Sequence, residues 1–445
     1  MERYEQYKDS GIEWIGEIPA EWGMASLKWK STIFSGGTPD KNRPEYWYNG
    51  NIPWLNSGSV NQSIITEPSA FITEDGFKNS SAKWIEKNSV VMALAGQGKT
   101  KGMSALVTFR TTCNQSLSVI QPKPDINAKF LLYYLQSNYL HIRALAGEGK
   151  RDGLNLEMVG GISIPLLSEI EQTAIAEYLD IKTVEIDALI SQKERLLELY
   201  EEEKAAIINH AVTRGIDPDV ELVDSGVEWL GEIPKGWEVK KLKYTVLVNP
   251  VKDNIDKASS DEVVFLSMDK VSEDGRIDCS IKKPIVELFS GFTFFRKNDV
   301  IVAKITPCFE NGKGALLDSL ETDIGFGSTE FHVLRPSAVI NGKFLYYITK
   351  SEVFMKVGEA FMTGAAGQKR VPTDFISDFP LVSLDLNEQI AIVKYIEAEV
   401  ARLDRKISKT RRIIELQKEY RTALISEVVT GKVKVPDLES KEVAQ

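Results

Sequence analysis

Residues 9–19 read DSGIEWIGEIP and residues 224–234 read DSGVEWLGEIP, so one eleven-residue motif occurs twice, 215 positions apart, in a chain of 445 residues. Nine of the eleven positions are identical, Ile12/Val227 and Ile15/Leu230 are conservative apolar exchanges, and Trp22 and Trp237 keep the same phase. Further matches follow in the same order: NAKFLLYYLQS at 127–137 against NGKFLYYITKS at 341–351, and EQTAIAEYL at 171–179 against EQIAIVKYI at 388–396. The chain is two copies of one unit. Solenoid repeats have periods of roughly 20 to 50 residues, so a period this long implies that each copy holds a domain of its own.

Each copy changes character once. Before Pro165 and Pro380, runs rich in β-branched residues, such as SVVMALAG (89–96), ALVTF (105–109), DVIVAKIT (299–306) and EFHVLRP (330–336), are bounded by Gly, Pro and Asn and read as strands. One short helix per copy is expected at Ala128–Asn138 and Gly342–Val353. Beyond the prolines, neither Pro nor Gly occurs from Leu166 to Arg214 or from Leu381 to Thr430. Stepping alternately four and three residues from Leu179 gives Thr183, Ile186, Ile190, Lys193, Leu197, Tyr200, Lys204, Ile207 and Ala211. Adding 217 gives Ile396, Val400, Leu403, Ile407, Thr410, Ile414, Gln417, Arg421, Leu424 and Val428, a matching stripe. This is a heptad seam, and the shared register points to an antiparallel helix pair about a pseudo-twofold axis. A helix lying on a globular core would carry a similar stripe. The expected division is 1–164, helical 165–215, 216–379, helical 380–432 and a tail 433–445, with residues 215–225 a polar linker.

The N-terminus is polar and no stretch approaches the roughly 20 apolar residues of a membrane span, so a cytoplasmic protein is expected. Cys113, Cys279 and Cys308 form no CxxC or Cys/His cluster and are read as reduced thiols without a zinc site. A net charge of −10 argues against nucleic-acid binding until its distribution is considered. Residues 1–150 carry 16 Lys+Arg against 14 Asp+Glu, whereas 165–215 carry 5 against 11, so an acidic sum can hide basic patches.

Several segments imitate catalytic motifs. ALAGQGKT (93–100) has the letters of a phosphate-binding loop, but such a loop must open a helix, and GMSALVTF after it reads as strand. The second copy, AKITPCFENGKG (303–314), loses the pattern. PDLESK (436–441) has the letters of a nuclease metal site but lies in the polar tail. The three histidines, His141, His210 and His332, stand beside no candidate nucleophile, and no paired-carboxylate or metal-ligand spacing recurs in both copies. No catalytic centre or cofactor site is expected.

What recurs is a loop before each break with adjacent bases: GEGKRDGLNL (147–156) with Lys150 and Arg151, and TGAAGQKRVP (363–372) with Gln368, Lys369 and Arg370. Gly lets a backbone approach phosphate, and Arg, Lys and Gln supply donors for base edges, although a solvated turn has the same composition. Lys99 and Lys101 near Asn114-Gln115, and Lys304 and Lys313 near Asn311, are further candidate DNA contacts. Trp14/Trp229 and Trp22/Trp237 are read as staples holding each copy's start to its core.

This arrangement resembles the specificity subunit of type I restriction-modification systems. The resemblance rests on the duplicated DSGxEWxGEIPxxW opening and on Gly36–Pro39, Tyr46-Trp47 and Ile52–Trp54 in the first copy. It rests equally on AKITPCFENGKGA with GFGSTEF in the second, and on the PL…EQ helix after each variable part. It implies an α+β protein in which two α/β target-recognition domains, each reading one half of a split DNA site, are separated by two long antiparallel coiled-coil helices. Those helices would set the unspecified spacer and dock two methyltransferase subunits, with restriction/translocase subunits joining the full complex. A helix over 183–211 would be about 44 Å long, compatible with half-sites about 34 Å apart per turn of DNA. Catalysis, and with it S-adenosylmethionine, ATP and Mg²⁺, would belong to the partners, in agreement with the missing catalytic motifs. Two other readings stay open: a duplicated coiled-coil scaffold that binds protein, and a nucleotide-binding protein built on Lys99.

Overall fold

A computed structural model describes residues 2–96, 98–147, 153–253, 255–365 and 367–436. They form two compact units, one from residues 1–193 and 413–445, the other from residues 194–412. Each unit therefore contains one copy's α/β part and a stretch of both long helices, Glu169–Arg214 and Leu386–Val429.

The first unit is built on a sheet in the order Ser31–Ser35, Leu117–Pro122, Ser89–Ala93, Ser104–Val107, Ile64–Ile65, antiparallel except for its last pair. Its central strand, SVVMA, is buried at every position, as a continuous apolar run requires when both faces are covered. The second unit repeats this frame with Val246–Val248, Phe331–Pro336, Val300–Ala303 and Gly314–Leu316, again with a fully buried central strand. Beside each lies a smaller sheet containing one parallel pair, Ile52–Leu55 with Thr112–Cys113 and Glu262–Leu266 with Ile324–Gly327. Gly36 is explained here: a Cβ on it would lie 2.0 Å from the Cys113 carbonyl oxygen, so only glycine lets the two backbones pass. Cys113 is fully buried, and burial pushes its thiol up to about 12; all three cysteines are free thiols.

The repeated motifs turn out to be joints of the frame. In NAKF and NGKF, Asn127 accepts from the amides of Lys129 and Phe130, and Asn341 from those of Lys343 and Phe344. These N-caps start Ala128–Ser137 and Gly342–Lys350, whose Phe130 and Phe344 enter the core. In each EQ pair the glutamine is buried. Gln172 accepts from Asn127 N (2.8 Å) and donates to the carbonyls of Asp125 and Leu167 (3.0 Å each). Gln389 does the same with Asn341 N (2.8 Å), Val339 and Leu384 (3.0 Å each). The glutamate takes an indole: Trp22 Nε1 donates to Glu171 at 3.2 Å and Trp237 Nε1 to Glu388 at 3.0 Å.

Both long helices are continuous through the heptad stripe, and every stripe residue from Leu179 to Ala211 and from Ile396 to Val428 is buried or half-buried. Within the first unit Glu171 lies against Trp22, which also meets Gly431, while Asp187 takes a two-pronged bond from Arg421 (2.8 and 3.1 Å). Within the second, Lys204 pairs with Asp404 (2.8 Å) and Glu201 with Arg411 (3.8 Å). In each unit, numbers rise along one helix as they fall along the other, so the pairing is antiparallel. Both helices stop at a glycine with positive φ, Gly215 (+78°) and Gly431 (+72°), packed against Trp237 and Trp22 respectively.

Two expectations need correction. Residues 215–225 are not merely a linker: Leu222–Asp224 pair with Glu232–Pro234 as Tyr7–Asp9 pair with Glu17–Pro19. The staple role holds for Trp22 (1% exposed) and Trp237 (9%) but fails for Trp14 (47%) and Trp229 (43%), whose tip positions in the hairpins turn them to solvent. Among the described residues no helix is long and apolar enough to cross a membrane and no side-chain group could hold a metal ion.

Candidate nucleic-acid interface

Three chain segments meet at one end of each central sheet, joined by the same backbone bonds. In the first unit Leu94 N donates to Ser116 O (2.9 Å) and Leu154 N to Leu94 O (2.7 Å); in the second Lys304 N donates to Glu330 O (2.7 Å) and Val371 N to Lys304 O (2.9 Å). The loop before the break thus docks on the residue that follows the central strand. Its anchor, Leu154 or Val371, is buried in both. In the second unit Phe375 and Phe379 follow that anchor into a cluster around Phe354, with ring centroids 5.7 and 4.9 Å away.

The frame is shared, but the side chains are not. At matching positions the first unit has Leu94, Ser116 and Gly153, and the second has Lys304, Glu330 and Arg370. Arg370 donates from Nε to both oxygens of Glu330 (2.9 and 3.1 Å) and from Nη2 at 2.8 Å, while Nη1 reaches Gln368 O at 3.3 Å. Glu330 holds the side-on edge of the guanidinium, which fixes its plane and leaves the outer Nη1/Nη2 edge half exposed. The same contact pulls the Glu330 carboxyl below its ordinary range and raises Arg370. Thr363 and Arg370 exchange backbone bonds (3.0 and 2.8 Å) and Thr306 N donates to Lys369 O (3.0 Å), so the loop carrying Gln368, Lys369 and Arg370 is tied at both ends; Gln368 and Lys369 are exposed.

Lys304 is half-buried, with Nζ donating to Thr329 O at 2.9 Å, and burial lowers its pKa. Lys313 donates to Met268 O at 3.1 Å. In the first unit Lys99 is exposed on a turn held by Tyr139, whose hydroxyl donates to Lys99 O at 2.6 Å. Lys101 is only 8% exposed, with Arg143 Nη1 donating to its backbone carbonyl at 3.5 Å, so it does not stand on the surface as expected of a phosphate contact. Lys150 and Arg151 lie outside the described residues. The phosphate-loop resemblance ends here as well: after Lys99 the chain turns and enters Ser104–Val107 as strand.

Sequence reading missed Glu330, because the search was for donors and not for the acid that orients one. It also missed two exposed lysine–aromatic pairs, Lys28 over Trp29 (5.4 Å) and Lys243 over Tyr244 (5.7 Å), at equivalent places in the two units. The 215-residue offset that aligns the opening motif would have found them.

His332 lies beneath the loop, 1% exposed. Asn249 Nδ2 faces its Nδ1 at 3.1 Å and its Nε2 faces Val371 O at 2.9 Å, a pairing satisfied by the neutral ring protonated on Nε2. Burial lowers its pKa to about 4, with Lys304 adding to the depression and the Val371 carbonyl and Glu330 opposing it. From pH 6.5 to about 4 the unfolded ring takes a proton that the folded ring refuses, so stability falls as pH falls, by about 3 kcal/mol across the window. Amide exchange in residues 363–371 is expected to quicken over that window in the native protein and much less in His332→Gln; equal slopes would show that another group carries the effect.

Comparison with known proteins gives a consistent result. Residues 19–199 match the family described as type I restriction modification DNA specificity domain. The type I restriction enzyme EcoAI specificity subunit of Escherichia coli is 34% identical over 257 residues, 57% of this chain but 41% of that protein, so the chain spans well under half the length of this relative. A chain solved in a study of complex assembly and conformational transition of the type I restriction-modification system superposes with a TM-score of 0.68 at 14% identity, covering 94% of this chain and 99% of that one. The crystal structure of the HsdS subunit from Thermoanaerobacter tengcongensis gives 0.56 at 15%, covering 94% and 98%. At such identities the likeness is one of fold.

Proposed function

We propose that this chain is a specificity subunit of the type I restriction-modification kind, the DNA-reading component of a restriction-modification complex, and that it reads a bipartite site with one half assigned to each unit. The observation that carries the reading is the shared sheet end: one backbone frame, used twice, presents unlike side chains, as two readers of unlike sequences require. Residues 1–164 and 216–379 are the readers. Residues 165–215 and 380–432 set the spacer and dock two methyltransferase subunits, and restriction/translocase subunits complete the assembly. Methyl transfer and cleavage are chemistry of those partners.

In the second unit Arg370 would address the O6 and N7 of a guanine with its outer edge, Glu330 acting as a positioning residue, while Lys369, Gln368 and Lys304 meet neighbouring phosphates or base edges. Lys313, tied to a carbonyl, would contribute positive field. In the first unit, where the matching positions are apolar or short, Lys99 and the pair Lys150 and Arg151 would supply the donors. Lys28 and Lys243 hold matching positions and suit phosphate contacts common to both halves, with Lys243 leaving its 2.7 Å pairing with Asp378 to do so. The experiment is an exchange of residues 20–160 for those of another family member, followed by mapping of methylated sites: one half of the site changes.

A further inference from the structure

Each unit opens with the same exposed hairpin. Tyr7–Asp9 and Glu17–Pro19 are closed by Ser10 N to Gly16 O (2.9 Å), Gly11 N to Asp9 Oδ1 (2.9 Å) and Ile12 N to Ser10 Oγ (3.1 Å). Leu222–Asp224 and Glu232–Pro234 are closed by Ser225 N to Gly231 O (3.0 Å), Gly226 N to Asp224 Oδ1 (3.0 Å) and Val227 N to Ser225 Oγ (3.1 Å). These bonds account for the repeated Asp, Ser and first Gly. Burial of Ile15, Ile18 and Ile233, with Leu230 packed partly against the core, accounts for the apolar spacing. The fold does not account for the tryptophan. Trp14 rests one face on His141, with centroids 5.1 Å apart, yet stays 47% exposed, and Trp229 stays 43% exposed.

The charge around these rings decides what can cover them. Asp9, Glu13 and Glu17 flank Trp14 along the chain and Asp224, Glu228 and Glu232 flank Trp229; all six are exposed and neither eleven-residue motif contains a base, although Glu232 meets Arg214 at 4.0 Å. Three carboxylates beside an aromatic knob repel a phosphate backbone, so the surface is not an extension of the DNA interface. An exposed Trp in an acidic hairpin fits an apolar protein pocket with a Lys/Arg rim. The hairpins are also nearly identical in two units whose reading residues differ. A surface presented twice without change meets the same partner twice.

We propose that the two hairpins are twin docking knobs, Trp14 and Trp229 each inserting into the same pocket on one of two identical methyltransferase subunits. This rests on the partner assignment above and adds where each copy is gripped. The test uses the full chain co-expressed with its methyltransferase subunit, in wild-type form and as Trp14→Ser, Trp229→Ser and the double variant, with stoichiometry read by native mass spectrometry and affinity by titration. Because both rings are half exposed, the variants should keep the chain's thermal melting. Each single variant is expected to weaken one of two sites by tenfold or more and leave the other tight, and the double variant to weaken both. Glu13→Lys with Glu228→Lys should act in the same direction through the charged rim. Two methyltransferase subunits held with unchanged affinity by the folded double variant would overturn the proposal, as would loss of DNA binding with both subunits retained. A wild-type chain that binds no methyltransferase subunit at all would instead sink the partner assignment itself.

Discussion

Replacing Arg370 by alanine is expected to blur the recognised sequence at one base position of one half-site, weakening binding by about 1–3 kcal/mol, and to leave the other half unchanged. The expectation follows from the fork geometry: Glu330 occupies Nε and Nη2 from the side, and the outer edge is the one a guanine would take. Glu330→Gln should keep the preferred base but reduce discrimination, because a neutral amide cannot hold the guanidinium plane as a carboxylate does. Both are measured by mapping methylated sites in cells whose only specificity chain is the variant, with binding titrated at one fixed salt concentration. An unaltered motif in Arg370→Ala would remove this residue from the interface.

The second large effect concerns the frame. Gln172→Leu and Gln389→Leu preserve approximate volume while stripping one backbone amide and two carbonyls of their buried partner. At about 1–3 kcal/mol for each group left unsatisfied, a loss of several kcal/mol is expected, nearly the same for the two substitutions because the three bonds match in kind and length. Amide exchange resolved by unit reports each loss separately. A large loss in one unit beside a negligible loss in the other would mean that the two joints are not equivalent.

The joints were legible in the sequence because they are local or repeated. The heptad stripe followed from spacing alone, and the NAKF, NGKF and EQ matches marked caps and hinges before their roles were visible. The surface proposed to read DNA was legible only in part. Arg370, Glu330 and Lys304 are brought together by a loop returning to a sheet end, a long-range event that no periodicity announces, and Lys101, two residues from the exposed Lys99, is buried. Trp14 was misread for a related reason: its spacing from the buried Ile15 and Ile18 says nothing about which ring a tight turn will expose. Hairpin pairing at Leu222–Asp224 could have been inferred, since the opening motif recurs at 224–234 and its partner strand must precede it.

The central claim, that two unlike readers sit on one repeated frame, is tested most directly by exchanging residues 20–160 for the corresponding part of a type I specificity subunit, co-expressing the hybrid with the proposed methyltransferase partner, and mapping methylation across a genome. The account predicts a hybrid motif in which one half-site is replaced, the other half-site retained and the spacer unchanged. A motif altered in both halves, or in neither, would contradict it.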